Sequence, residues 1–180
     1  MNIKHTIKIL ILIPFFSYAQ HSDKYLELMN NLKLIDSSKI ETHFKNGQPK
    51  YSGTTSYYEY NGKEYSFLTG KHIRYYKNGS RTESVYDSWE TVMDNKYFDK
   101  NGNLVSDSKT LALNTTANDL QEFENSNRHI TFIIKSKDYK YSFELNKWYL
   151  YLKNEHTNGK KSGTWKYYYP NGELKKQTEK

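Results

Sequence analysis

Two pairs of carboxylates, Glu59 with Glu64 and Glu122 with Glu124, stand close enough in the chain to divide acid and base work between them. Glycoside hydrolysis uses such a pair. No third residue type completes a site around either pair, and carboxylates balancing neighbouring lysines on a solvated surface account for both. His21, His43, His72, His129 and His156 are scattered without metal-ligand spacing. Cysteine is absent, which removes thiol nucleophiles, thiolate metal sites, disulfides and a lipid-anchored cysteine together. There is no Gly-x-Ser-x-Gly turn and no Gly-x-x-x-x-Gly-Lys loop for a phosphate. These residues argue against an enzyme, a metal and a cofactor.

Aromatic and basic side chains are the richer resource. Tyr57, His72, Arg74, Tyr76, Trp165, Tyr167 and Tyr169 fall at alternating positions of aromatic, β-favouring stretches, so they share a strand face in their own segments. Such a face offers stacking and cationic contacts to a sugar, an acidic polymer or a protein. The competing reading is that these rings stack on one another within the fold.

The elements that carry them repeat. Gly53 to Asn61-Gly62, Gly70 to Asn78-Gly79 and Gly163 to Asn171-Gly172 are all Gly-x7-Asn-Gly, with Tyr58, Tyr75 and Tyr168 five residues after the glycine. A weaker copy keeps Phe98 and Asn101-Gly102. Nine glycines and 17 asparagines in 180 residues give about one Asn-Gly pair by chance, and the chain has six, at Asn46, Asn61, Asn78, Asn101, Asn158 and Asn171. Asn-Gly suits type I′ hairpin turns, which need positive φ at both central residues. The repeat therefore predicts stacked hairpins, with the Tyr58, Tyr75, Tyr168 and Phe98 rings as contacts between units. Each opening glycine is expected to lie beneath a bulky cross-strand neighbour.

Gly163-Thr-Trp-Lys-Tyr-Tyr-Tyr-Pro-Asn171-Gly172, followed by Glu173-Leu174-Lys175, resembles the MORN-repeat variant of bacterial proteins, including the YwqK-type antitoxin-like family. Residues 53–62 and 70–79 resemble it with Thr55 or His72 in place of the usual tryptophan, and 103–150 do not. The resemblance implies hairpins stacked into a single-layer antiparallel sheet, and a protein or envelope component as partner. The same aromatic hairpins are also similar to choline- and glucan-binding repeats, but this chain has only Trp89, Trp148 and Trp165 where those are dominated by tryptophan.

Residues 1–19 read as a secretory signal peptide: Lys4 and Lys8, the apolar run Ile9 to Phe16, then Ser17-Tyr18-Ala19. Export to the periplasm or the exterior follows, with no transmembrane segment expected beyond it. The remaining chain carries +5, read as spread along its length, and together with export this argues against nucleic acid as the partner.

The expected architecture is all-β: repeated β-hairpins in an elongated antiparallel single-layer sheet, with a short N-terminal helix. Residues 20–38 form the helical segment, where Tyr25, Leu28, Met29 and Leu32 share a face over 22–34 and are expected to cover an edge strand. Residues 39–180 form the repeat domain. Strands are expected at 50–53, 54–60, 64–68, 71–77, 81–86, 91–98 and 103–105. An irregular insertion near 108–128 follows, with a short helix over 118–123. Strands at 128–135, 139–145 and 147–152 then carry the best-packed core. The reading is a non-enzymatic binding or scaffold module, with a carbohydrate-binding envelope protein as the alternative.

Overall fold

Every strand in the sheet is hydrogen-bonded to its neighbours in sequence, so the chain runs as one uninterrupted antiparallel meander. The computed structural model describes residues 21–125 and 129–180; the expected signal peptide and residues 126–128 of the expected insertion lie outside them. The described residues form ten strands: β1 (Lys33–His43), β2 (Pro49–Tyr60), β3 (Lys63–Tyr75), β4 (Arg81–Tyr86), β5 (Val92–Phe98), β6 (Leu104–Thr115), β7 (Ile130–Ser142), β8 (Lys147–Thr157), β9 (Lys160–Tyr168) and β10 (Leu174–Glu179). Helix α1 (Asp23–Asn30) precedes β1, and α2 (Leu120–Asn125) lies between β6 and β7. This is the all-β, single-layer sheet with a short helix that the repeat implied.

The six Asn-Gly pairs all turn hairpins, by two mechanisms. At Asn61-Gly62 and Asn158-Gly159 both residues have positive φ, 50° and 75° then 50° and 74°, giving the two-residue turn. At Gly47, Gly79, Gly102 and Gly172 only the glycine does, with φ between 81° and 93°. There the loop is one residue longer, as where Tyr76 N–H donates to the Ser80 carbonyl at 2.9 Å and Gly79 N–H to the Tyr76 carbonyl at 3.0 Å. Asparagine serves these longer turns through its side chain. Oδ1 of Asn46, Asn78 and Asn171 accepts from the backbone N–H two residues on, at 3.2, 3.0 and 3.0 Å.

The repeat glycines also divide. Gly70 and Gly163, with φ of 72° and 58°, each open a bulge in which three residues oppose one on the preceding strand. Gly70, Lys71 and His72 lie opposite Gly53, while Gly163, Thr164 and Trp165 lie opposite Asn154. A bulge of this kind bends a strand without ending it. That is why 64–68 and 71–77, expected as separate strands, join in β3. Gly53 opens no bulge and β2 runs through it. A Cβ on Gly53 would stand 2.1 Å from His72 Nδ1, so the absent side chain is what admits the imidazole.

The core fills a notch. Strand β4 pairs only with 70–75 of β3, and β5 only with 104–109 of β6 on its other side, so the β2–β3 and β6–β7 hairpins extend past the short β4–β5 hairpin. Into this gap pack Tyr25, Leu28 and Leu32 from and after α1, Trp89 from the β4–β5 turn, and Leu120 and Phe123 from α2. They meet Tyr58 and Phe67 on one side and Leu113, Ile130 and Phe132 on the other. Trp89 is the hub, with ring centroids 4.2 Å from Phe67 and 5.7 Å from Phe123. Helix α1 is moored to β6: Ser22 Oγ caps Tyr25 N–H and also accepts from Thr115 N–H at 3.2 Å, and Ser22 N–H donates to the Leu113 carbonyl at 3.1 Å.

Three expectations are corrected by this arrangement. The helix fills the middle of the sheet, and the edge strand β1 stays exposed along nearly its whole length. Residues 108–115 of the expected insertion belong to strand β6, which carries a register shift between Thr110 and Ala112, with α2 starting at Leu120 behind the Asp119 side chain, which accepts from Glu122 N–H at 2.8 Å. The segment from 130 to 142 is a single strand with a register shift after Asp138. Its first residues join the core, but Phe143 just beyond it is 91% exposed.

Candidate functional site

Pairing across the sheet orders the aromatic and basic residues into rows. Thr42, Tyr51, Arg74, Thr82, Tyr97, Ser106, Asp138, Leu152, Tyr167 and Lys176 are successive cross-strand partners from β1 to β10. Directly paired residues share a face, so Arg74 and Tyr167 do lie on one side. They are six strand spacings apart, about 29 Å along the sheet at ~4.8 Å per strand. The seven residues singled out in the sequence therefore do not converge. Tyr57 lies on β2, 39% exposed; Arg74 and Tyr76 lie at the end of β3; Tyr167 and Tyr169 lie at the end of β9.

His72 and Trp165 are buried, at 2% and 6% exposure, and both are held by the bulges. Trp165 Nε1–H lies 3.1 Å from the Glu155 carbonyl and 3.2 Å from the Ser162 carbonyl. His72 Nε2 lies 3.0 Å from the Thr69 carbonyl and 3.3 Å from Thr54 N, whose N–H points at it, and Nδ1 shares a hydrogen bond with the Tyr51 hydroxyl at 2.6 Å, donor and acceptor following the imidazole tautomer. Their polar atoms are spent inside the protein. Among the repeat rings, Tyr58 packs in the core 6.2 Å from Phe67. Tyr75 is paired with Arg81, whose guanidinium lies 4.0 Å over the Phe98 ring. Tyr168 lies 5.7 Å from Lys153 Nζ.

What His72 positions is more informative than His72 itself. By holding the Tyr51 hydroxyl it fixes one wall of a cleft of about 420 Å³ at the end of the sheet, between the β1–β2 and β3–β4 turns. The Arg74 guanidinium lies 5.6 Å from the Tyr51 ring, and the Tyr76 hydroxyl is 3.2 Å from Thr82 Oγ1. Lys50 and Lys77 add two more cations, Phe44 and Tyr75 two more rings, and Thr42 a hydroxyl. No carboxylate lines the cleft. Partial burial, followed by the neighbouring Tyr86, raises the Tyr51 phenol above its ordinary value, with Arg74 acting in opposition. The phenol thus stays a neutral donor. Three cations and four aromatic rings without a counter-charge suit an anionic group carried on an apolar or planar body.

Of this cleft, the sequence reading had Arg74 and Tyr76 as ligand residues and missed Lys50, Tyr51, Lys77 and Phe44. The missing signal was register. A two-residue turn at Asn61-Gly62 alone would set Tyr51 opposite His72, and the bulge moves it to Arg74.

The surrounding charges are otherwise neutralised locally. Hydrogen bonds from Lys71 and Arg81 hold the Glu83 carboxyl below the usual range, at 2.8 and 2.9 Å. Among the described residues no three His, Cys, Asp or Glu side chains are grouped to hold a metal ion, and no helix is long and apolar enough to cross a membrane. No family model, curated protein or solved structure matches this chain, so its reading rests on its own residues and geometry.

Proposed function

We propose that this chain is an exported, non-enzymatic binding or scaffold module built of MORN-like repeats, which takes an anionic group of a protein or envelope component in the cleft between the β1–β2 and β3–β4 turns. The observation that supports this most is the lining of that cleft: Lys50, Arg74 and Lys77 beside Phe44, Tyr51, Tyr75 and Tyr76, with no carboxylate among them. Ground-state binding needs such a concave, unneutralised surface, and the cleft supplies it without a carboxylate to act as a general acid or base. Tyrosine is well suited to the task, since its ring packs while its hydroxyl stays wet. The carbohydrate reading draws less support, because Trp89 and Trp165 are buried and only tyrosines remain as open platforms at the cleft.

The test is a pull-down from envelope extract of the native host, using the wild-type protein and Arg74→Ala/Tyr76→Ala, washed across a salt series. Both substituted side chains are exposed, so the fold should persist. A discrete protein or envelope component kept by the wild type at high salt and lost by the variant supports the reading. Identical retention by both proteins sinks it.

A further inference from the structure

The positive charge is segregated. Residues 21–125 carry 13 basic and 15 acidic side chains, a formal charge of −2. Residues 129–180 carry 11 lysines and five acidic side chains, a formal charge of +6. The expectation of charge spread along the chain is corrected by this division.

Within the basic half the lysines form a line. Lys137, Lys153 and Lys166 are direct cross-strand partners on β7, β8 and β9. Two residues along, on the same face, Lys109 pairs with Lys135. These residues line two hollows of about 320 and 330 Å³ that share Lys135 and Lys137, forming a groove across the strands from β5 to β9. That groove is about 19 Å long at ~4.8 Å per strand. Lys96 stands at its β5 end. Asp94, Asp107 and Glu155 partner Lys96, Lys137 and Lys135 at 3.9, 3.4 and 3.6 Å. Among the described residues Lys109, Lys153 and Lys166 have no carboxylate within 4.0 Å. Like charges directly opposite one another destabilise a sheet. An anionic chain laid along the line relieves that repulsion.

We propose that this groove docks a linear anionic polysaccharide, a chain of sugars bearing carboxylates at regular intervals. The groove presents six lysines over five strands, and Lys109, Lys153 and Lys166 without ion pairs on β6, β8 and β9 make a linear array that matches a linear polyanion. Asp94, Asp107 and Glu155 stand within it as acceptors, which the hydroxyls between the carboxylates of a sugar chain satisfy and which a DNA backbone, without hydroxyls, leaves unmet. A flat bilayer surface does not enter a concave groove, and no exposed apolar side chain lines this one to anchor it. The groove is on the opposite face from the cleft, since Lys153 and Lys166 adjoin Leu152 and Tyr167 of the Arg74 row. The inference does not depend on the function proposed for the cleft.

The experiment is fluorescence anisotropy of labelled polygalacturonate oligomers against the full protein at several salt concentrations. Lys137→Gln/Lys153→Gln/Lys166→Gln is compared with the charge-matched control Lys39→Gln/Lys45→Gln/Lys63→Gln. The groove variant should bind about tenfold more weakly with a flatter salt dependence, and the control should change less than about twofold. An unchanged or higher melting temperature at low salt confirms that the groove variant is folded. Equal weakening by both triples, or none by either, overturns the proposal. So does tighter, groove-lysine-dependent binding of oligo(dT) or phosphatidylglycerol vesicles, which would assign the groove to nucleic acid or to membrane.

Discussion

His72 and Trp165 occupy the same place in two copies of the repeat. Each sits two residues after a glycine of positive φ, and each aims a ring nitrogen at the carbonyl three residues before it, Thr69 at 3.0 Å and Ser162 at 3.2 Å. The substitution of histidine for tryptophan therefore preserves the arrangement of the position, a buried ring with a nitrogen against the carbonyl that precedes the bulge. Trp165→Phe keeps most of the packing and orphans the Glu155 and Ser162 carbonyls, so it should cost about 1–3 kcal/mol. Trp165→Ala should cost about 3–5 kcal/mol. Urea denaturation of the two variants separates the packing and hydrogen-bond contributions. An undiminished stability in Trp165→Phe would remove the hydrogen-bonding role.

The single residue opposite the β3 bulge is matched to the ring it faces. Gly53 leaves room for His72, and a methyl group there would stand 2.1 Å from Nδ1. Gly53→Ala should displace the imidazole, break the Tyr51 hydrogen bond and cost about 1–3 kcal/mol. In a His72→Ala background the same change should cost well under about 1 kcal/mol, because the clash is gone. A double-mutant cycle by urea titration reads the coupling directly. Additive costs would show that Gly53 matters for another reason.

How much of this could be read beforehand divides along a physical line. Local signals survived: Asn-Gly placed every hairpin it marked, and the Tyr25, Leu28, Leu32 spacing placed the buried face of α1. What failed was non-local. Whether Gly70 ends a strand or bulges it depends on Gly53, a residue on another strand that yields to His72. Because that bulge shifts the register by two, it also decides that Tyr51 meets Arg74, and with it the cleft. The notch that receives α1 and α2 exists only because β4 and β5 are shorter than their neighbours, a comparison between strands that no single segment contains. The lysine groove was missed for a similar reason: Lys137, Lys153 and Lys166 are unremarkable until pairing sets them side by side.

Tyr25 donates its hydroxyl to the Asp87 carboxylate, whose other oxygen accepts from the Trp89 and Thr91 N–H groups, each at 2.9 Å. This bond ties α1 to the β4–β5 turn that carries the core hub. Burial, followed by the Asp87 charge, pushes the Tyr25 phenol far above its ordinary value of about 10. Its folded value is raised above its unfolded value, so its stabilisation is complete below pH ~10 and is lost as pH climbs from there toward the folded value. Tyr25→Phe should therefore cost about 1.5–3 kcal/mol at neutral pH, as a hydrogen bond to a charged group does. The gap between wild type and variant should narrow above pH ~10. Stability curves at pH ~8 and ~11 measure it, and a gap that stays constant would mean that Tyr25 stabilises through its ring alone.

The Asn158 turn is the most demanding of the six. Its φ of 50° is left-handed, and its side chain reaches past β8 to the start of β7, where Oδ1 accepts from Phe132 N–H at 2.7 Å and Nδ2 donates to the Ile130 carbonyl at 3.1 Å. Asn158 N–H adds a third bond, to the Phe132 carbonyl at 3.0 Å. The turn thereby continues the pairing of β7 beyond the end of β8 and holds Ile130 and Phe132 against the core. Asn158→Ala loses both the conformational tolerance and the two side-chain bonds, and should cost about 3 kcal/mol. Asn61→Ala loses only the tolerance, since its φ is also 50°, and should cost about 1–2 kcal/mol. Asn46→Ala keeps a negative φ and loses two exposed bonds to Gln48, one from its N–H and one to its Oε1, for a cost of about 0.5–1 kcal/mol. Chemical denaturation ranks the three. Equal costs would mean that Asn-Gly acts here only as a flexible link, and that β7 needs no help from the turn two strands on.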